Sequence, residues 1–147
     1  MPEHEKSFLL HATCVALDGV GVLLGGPSGS GKSDLALRLI DGGAILVSDD
    51  QVALSVREGR LSASPPATIA GMIEAREIGL MRLPFCADVP VALYVELVPE
   101  AEVLERLPEE ETISFLDIPL RKLTLHAFHA STAAKIRAVL RFPMASL

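Results

Sequence analysis

The sequence predicts an α/β domain with a mixed sheet, and three observations predict it. Short apolar β-rich runs are interspersed with helical patterns along 147 residues. Asp18-Gly19 separates two of these runs, a strong hairpin signal. A glycine- and serine-rich loop, Gly25 to Gly31, stands between a strand and a helix.

The elements follow in order. Phe8 to Leu17 reads as one β-rich run and Val20 to Leu24 as its hairpin partner. Ser33 to Ile40 holds helix formers with apolar Leu35, Leu37, Leu39 and Ile40, and Asp41-Gly42-Gly43 stops that helix. Ala44 to Val47 is a short buried strand ending at Ser48-Asp49-Asp50. Val52 to Val56 and Arg60 to Ala63 form a second hairpin around Glu58-Gly59. Between Ile69 and Leu83 the apolar positions fit neither period. Val89 to Leu97 is a strand, and Glu100 to Leu107 reads as an exposed amphipathic helix. Ile113 to Leu125 is strand or loop, interrupted by Pro119, and Ser131 caps a last helix running through Arg141. Without repeats or linkers, residues 1–147 read as a single domain.

Composition narrows the function. Half the residues are hydrophobic, enough for one core, and only 4% are aromatic, so that core is aliphatic. Few rings and a net charge of −6 speak against nucleic acid as a partner. Cys14 and Cys86 stand far apart without metal-ligand spacing and read as buried thiols. His126 and His129, three apart, lack further ligands in the sequence and read as structural or surface residues. The N-terminus shows no signal-type run and no stretch suits a membrane span, so a cytoplasmic protein without membrane attachment is expected.

Gly26-Pro27-Ser28-Gly29-Ser30-Gly31-Lys32-Ser33 fits the phosphate-binding pattern G-x-x-x-x-G-K-[ST] in full. Glycines let the backbone close around phosphate oxygens with its N–H groups inward, and the following helix adds its positive end. Lys32 can reach the β- and γ-phosphates, and the Ser33 hydroxyl can ligate Mg²⁺. The strand feeding the loop is the second arm of a hairpin, which is unusual for such loops and counts against common small-molecule kinases and GTPases.

Asp49 and Asp50 follow a buried strand. Adjacent acids at a strand end point in different directions, so one can hold Mg²⁺ while the other accepts a hydroxyl proton. Glu74 could complete a magnesium site, and Arg76 could neutralise a transferring phosphate.

In order, these segments resemble the catalytic domain of HPr kinase/phosphorylase, from about His11 to the neighbourhood of Arg121 and more loosely through the last helix. The shared features are His11 before the hairpin, the Gly26 to Ser33 loop followed by Asp34, Asp49-Asp50, and Ile73 to Gly79 against a signature near I-E-x-R-G-x-G. The resemblance implies a P-loop kinase domain of the HPr kinase/PEP carboxykinase-like type, with a β-hairpin before the loop and flanking helices. It implies ATP and Mg²⁺ as cofactors and a serine of the phosphocarrier HPr as substrate, in the control of carbohydrate metabolism. Reversal by inorganic phosphate, releasing pyrophosphate, belongs to many such enzymes. Lys32 then contacts phosphate, Ser33, Glu74 and Asp49 serve the metal, and Asp50 accepts the proton with Asp49 in support. His11 lies beside the site, Arg76 faces phosphate, and Arg121 stands for a basic loop.

Two departures accompany the resemblance. Glu77 stands where the signature has glycine, and Pro119 to Leu123 keeps basic residues but lacks the glycine and asparagine of the family's Pro-Gly-Arg-Asn. The chain looks like the short form, with the catalytic domain only. Its apolar content suggests a homo-oligomer. The competing functions are a nucleotide-binding sensor or scaffold without phosphotransfer, and a kinase of a small hydroxylated metabolite.

Overall fold

A computed structural model of the chain describes residues 7–145. The strands are β1 (Ser7–Leu10), β2 (Thr13–Leu17), β3 (Val20–Gly25), β4 (Ile45–Ser48), β5 (Val52–Arg57), β6 (Arg60–Ser64), β7 (Met72–Ala75), β8 (Gly79–Arg82), β9 (Val89–Val98), β10 (Glu111–Phe115) and β11 (Ile118–His126). The helices are α1 (Lys32–Asp41) and α2 (Thr132–Arg141), with one 3-10 turn at Ala67–Ile69.

Nine strands form one mixed sheet. Its main path runs β1-β5-β6-β9-β3-β2-β4, and β10 pairs β11, which joins β9. β9 is the hinge of this arrangement. Its start pairs antiparallel with β6 at Val89 and Pro90, and its later part pairs parallel with β11 from Leu93 to Val98. On its other side it runs parallel to β3. The carboxyl ends of β3, β9 and β11 therefore emerge together, which is where open α/β sheets place ligands.

The sheet is buried on both faces, which explains its near-continuous apolar runs. Val15, Leu17, Val22, Leu24, Leu93 and Val95 face α1 and α2, where Leu35, Leu39 and Ile136 meet them. The alternate residues Cys14, Ala16, Leu23 and Tyr94 join Val52, Leu54, Leu61 and Ala63 in a second core. The hairpins close on tight turns: Asp18-Gly19 and Glu58-Gly59 both take positive φ at both residues, the form that matches strand twist.

Four readings of the sequence are corrected. Phe8 to Leu17 is two strands, broken at His11-Ala12, because β1 pairs with β5 whereas β2 pairs with β3 and β4. Residues 100–107 are irregular and not a helix. Val103 and Leu107 are exposed there, so no apolar face exists to offset the cost of nucleating so short a helix. Ser131 precedes α2 but makes no side-chain cap, and Thr132 Oγ1 donates to the His126 carbonyl at 2.5 Å. Of the two thiols, Cys14 is buried, and burial holds it well above the ordinary thiol range, while Cys86 is only half-buried. The stretch from Ile69 to Leu83 is mostly the β7–β8 hairpin, outside the main sheet. Among the described residues, no helix is long and apolar enough to cross a membrane.

Candidate active site

β3 ends at Gly25 and the chain enters the loop Gly26 to Gly31, which opens α1 at Lys32. Gly26 has φ 137°, and a Cβ there would lie 2.8 Å from the Leu97 carbonyl and from Ser30 Oγ. Gly31, at φ 97°, leads the helix without a side chain to cap it, so the first-turn N–H groups face outward. A helix start of this kind, opened by close-packed glycines, is an anion cradle. Ser30 Oγ is buried in the loop with no protein partner, a donor available to a phosphate oxygen.

Lys32 is buried, and its ammonium donates to the carbonyls of Gly26 and Pro27 at 2.7 and 3.0 Å. The cation thus sits over the loop rather than in solvent. The next residue, Ser33, donates from Oγ to Asp49 Oδ1 at 2.7 Å. A hydroxyl against a carboxylate beside a phosphate cradle is the oxygen-rich donor set that Mg²⁺ takes.

The two aspartates at the end of β4 diverge. Asp49 is buried and satisfied three ways: by Ser33, by Thr13 Oγ1 at 3.0 Å, and at Oδ2 by the Glu74 backbone N–H at 3.2 Å. Asp50 adopts φ 71°, which turns its side chain out of the strand. It is exposed, and its Oδ1 lies 3.0 Å from His11 Nε2. Its backbone N–H donates to Thr13 Oγ1 at 3.2 Å. One carboxylate is fixed beside the loop and the other faces solvent, where a substrate hydroxyl can approach.

Thr13 was not among the residues the sequence singled out, yet its single hydroxyl holds Asp49 and the Asp50 backbone together. Thr13 is fully buried, two positions after His11 in an apolar strand, and its sequence neighbours give no signal of this role. Glu74 lies on β7 between buried Ile73 and Ala75, with its side chain exposed and its backbone tied to Asp49. Arg76 and Glu77 occupy the β7–β8 turn, both exposed. Arg121 makes no hydrogen bond or ion pair to this group among the described residues. It sits mid-strand opposite Leu93 and Thr112, 3.8 Å from Glu110, five residues before the strand end at His126, or roughly 16 Å along the chain.

Glu77 has φ 73°, the left-handed region where a Cβ is costly. This is the physical reason a glycine suits that position. Glu77→Gly is expected to stabilise the fold by up to about 1 kcal/mol, the left-handed relief outweighing the added unfolded-state entropy. Thermal denaturation checks it: a gain of roughly 2–4 °C in Tm is expected, and a loss would show that the Glu77 side chain makes a stabilising contact.

Known proteins resemble this chain over most of its length. Residues 3–140 match the family model described as HPr Serine kinase C-terminal domain. The HPr kinase/phosphorylase of Clostridium acetobutylicum is 35% identical over 126 residues, covering 79% of this chain and 41% of the relative. That of Caldanaerobacter subterraneus subsp. tengcongensis is 38% identical over 127 residues, covering 79% of this chain and 42% of the relative. The chain therefore spans about two fifths of the length of these curated relatives. The structure of the Hpr(Ser) kinase/phosphatase from Coxiella burnetii superposes with a TM-score of 0.78 at 29% identity, covering 91% of this chain and 88% of that one. Fold and sequence match converge, and the chain belongs to the HPr serine kinase C-terminal domain family.

Proposed function

We propose that this domain is an ATP- and Mg²⁺-dependent protein-serine kinase that phosphorylates HPr and also reverses the reaction by phosphorolysis. The observation that carries the reading is the division of labour between the aspartates: Asp49 buried on Ser33, Asp50 exposed on His11, both at the mouth of the phosphate cradle.

When bound, MgATP supplies the transferable phosphoryl group. Lys32, the N–H groups of the loop and Ser30 Oγ would hold its phosphates, and Ser33 with Asp49 would hold the metal, with Glu74 nearby. Asp50 would receive the proton of the attacking seryl hydroxyl as the seryl oxygen bonds to the γ-phosphorus and the bond from that phosphorus to the β–γ bridging oxygen breaks, releasing ADP. His11 keeps the Asp50 carboxylate aimed at that point. In the reverse direction Asp50 would return a proton to the serine oxygen as that bond to phosphorus breaks and an oxygen of inorganic phosphate bonds to the same phosphorus, giving pyrophosphate. Arg76, on the β7–β8 turn, supplies positive charge to the transferring group, and the basic role given to Arg121 would require approach from outside this cradle. Exposed Ile45, Ile78, Leu80 and Phe85 offer apolar surface for self-association.

The test is intact-mass analysis of HPr incubated with the protein and MgATP. A gain of one phosphate on a serine is expected, and added inorganic phosphate is expected to remove it with release of pyrophosphate. No gain alongside demonstrable ATP binding would overturn the proposal and leave a nucleotide-binding sensor.

A further inference from the structure

Beside the phosphate loop lies a second group of ligating side chains that the proposed reaction does not use. β9 and β11 run parallel with Val98 opposite His126, so their carboxyl ends open side by side. Two residues past Val98 comes Glu100, and three past His126 comes His129. The chain thereby brings one carboxylate and two imidazoles together across 26 residues of sequence, a juxtaposition invisible to local spacing. Each offers one ligand atom, and these atoms all lie within 4.8 Å of one another.

The group is built rather than incidental. His129 Nε2 donates to the Glu100 carboxylate, 2.6 and 2.9 Å from its two oxygens, a hydrogen bond that an ion bound to both groups would replace. The rings of His126 and His129 sit 4.6 Å apart between centroids. His126 Nε2 is 2.7 Å from the Glu102 carbonyl. A carbonyl only accepts, so Nε2 carries the proton and Nδ1 carries the lone pair. That is the arrangement of a metal-binding histidine, one ring nitrogen held by a backbone carbonyl and the other free to ligate. The end of β11 and the turn after it, which carry the two histidines, are pinned by several hydrogen bonds. Thr132 Oγ1 donates to the His126 carbonyl, Thr132 N–H to the His129 carbonyl at 3.1 Å, and the Arg38 guanidinium to the carbonyls of Ala127 and His129.

We propose that Glu100, His126 and His129 form a binding site for one divalent transition-metal ion of the zinc class. Two imidazoles and one carboxylate suit zinc and its neighbours, whereas Mg²⁺ prefers an all-oxygen set such as Ser33 and Asp49. Three protein ligands leave a position for water or another oxygen donor. The site borders the groove formed by Ser28, Gly29, Ser30, Pro99 and Phe128 with Glu100 itself. Phe128, between the two histidines, also packs on the loop, where a Cβ at Gly31 would lie 2.8 Å from its ring. An ion there clamps the end of β9 to the turn before α2 and stiffens one lip of the phosphate cradle. The proposal does not depend on the kinase reading, because its readouts are binding and stability.

The experiment is Zn²⁺ titration of the full chain in excess Mg²⁺ without nucleotide, followed by calorimetry and by thermal denaturation. One ion per chain is expected to bind saturably, and Tm to rise by roughly 5–10 °C when free Zn²⁺ is a hundredfold above Kd. His129→Asn and Glu100→Gln are expected to weaken binding at least tenfold, the minimum seen when even an outer-sphere partner of a metal ligand is lost. Co²⁺ substitution in the unaltered chain gives a readout independent of the variants: tetrahedral visible absorption without a thiolate charge-transfer band is expected. Absence of saturable binding, binding by both variants as tight as by the unaltered chain, or a thiolate band pointing to Cys86 would each overturn the proposal.

Discussion

Asp50→Asn is expected to lower the rate of phosphoryl transfer to HPr by about 10³-fold while leaving ATP affinity nearly unchanged, a loss within the range that a positioned general base supplies. The substitution is nearly isosteric. Asparagine tolerates the left-handed backbone that Asp50 adopts at φ 71°, so the turn keeps its shape. Its amide oxygen can still meet His11 Nε2, and its backbone N–H can still donate to Thr13. What disappears is the basic lone pair that the proposed reaction uses to take the seryl proton. The ATP side of the site is untouched, because the side-chain contact of Asp50 is with His11 and not with Lys32 or Ser33. Single-turnover kinetics with mass detection, paired with nucleotide titration, separates the two quantities. A rate within tenfold of the unaltered protein would refute the base assignment, and a matching loss of ATP affinity would move Asp50 into the cradle.

How much of this was legible beforehand depends on how local each signal is. The loop from Gly26 to Ser33 declares itself because the whole phosphate-binding pattern lies within eight positions. The hairpins at Asp18-Gly19 and Glu58-Gly59 were legible for the same reason, since the residue types that tolerate positive φ sit at the turn. The β7–β8 hairpin was hidden because its turn carries Glu77 in a left-handed conformation where glycine would have announced it. Its strands are also only four residues long, too short for a period-two pattern to stand out. Residues 100–107 had a helical pattern but nothing to pack against, and Val103 and Leu107 stay exposed. Thr13 and the pairing of Glu100 with His126 and His129 could not be read at all. Each depends on strands brought together from distant parts of the chain, and only the β2–β4 and β9–β11 pairings reveal them.

Asp49 tests the other half of the division, because structure and chemistry meet in one side chain there. Asp49→Ala is expected to abolish phosphotransfer and to cost about 2–4 kcal/mol of stability. The Thr13 and Ser33 hydroxyls and the Glu74 N–H all donate to this carboxylate, and Thr13 is fully buried. Removing the acceptor strands donors that water reaches poorly, while the relief of desolvating a buried carboxylate offsets only part of the loss. For a domain of this size the change corresponds to a fall of roughly 6–14 °C in Tm. Asp49→Asn divides the effects. Its amide oxygen can still accept from Thr13 and Ser33, but its NH₂ group then faces the Glu74 N–H, donor against donor. The fold should lose less than in Asp49→Ala, yet activity should not return, since a neutral amide is a poor ligand for Mg²⁺ beside triphosphate. The signature of a metal role is therefore a stable Asp49→Asn protein that binds nucleotide without Mg²⁺ dependence. If Asp49→Ala melts within a degree of the unaltered protein, the three-donor account of this residue is wrong. If Asp49→Asn retains Mg²⁺-dependent transfer, the cation is held elsewhere and Ser33 and Asp49 serve only to join α1 to β4.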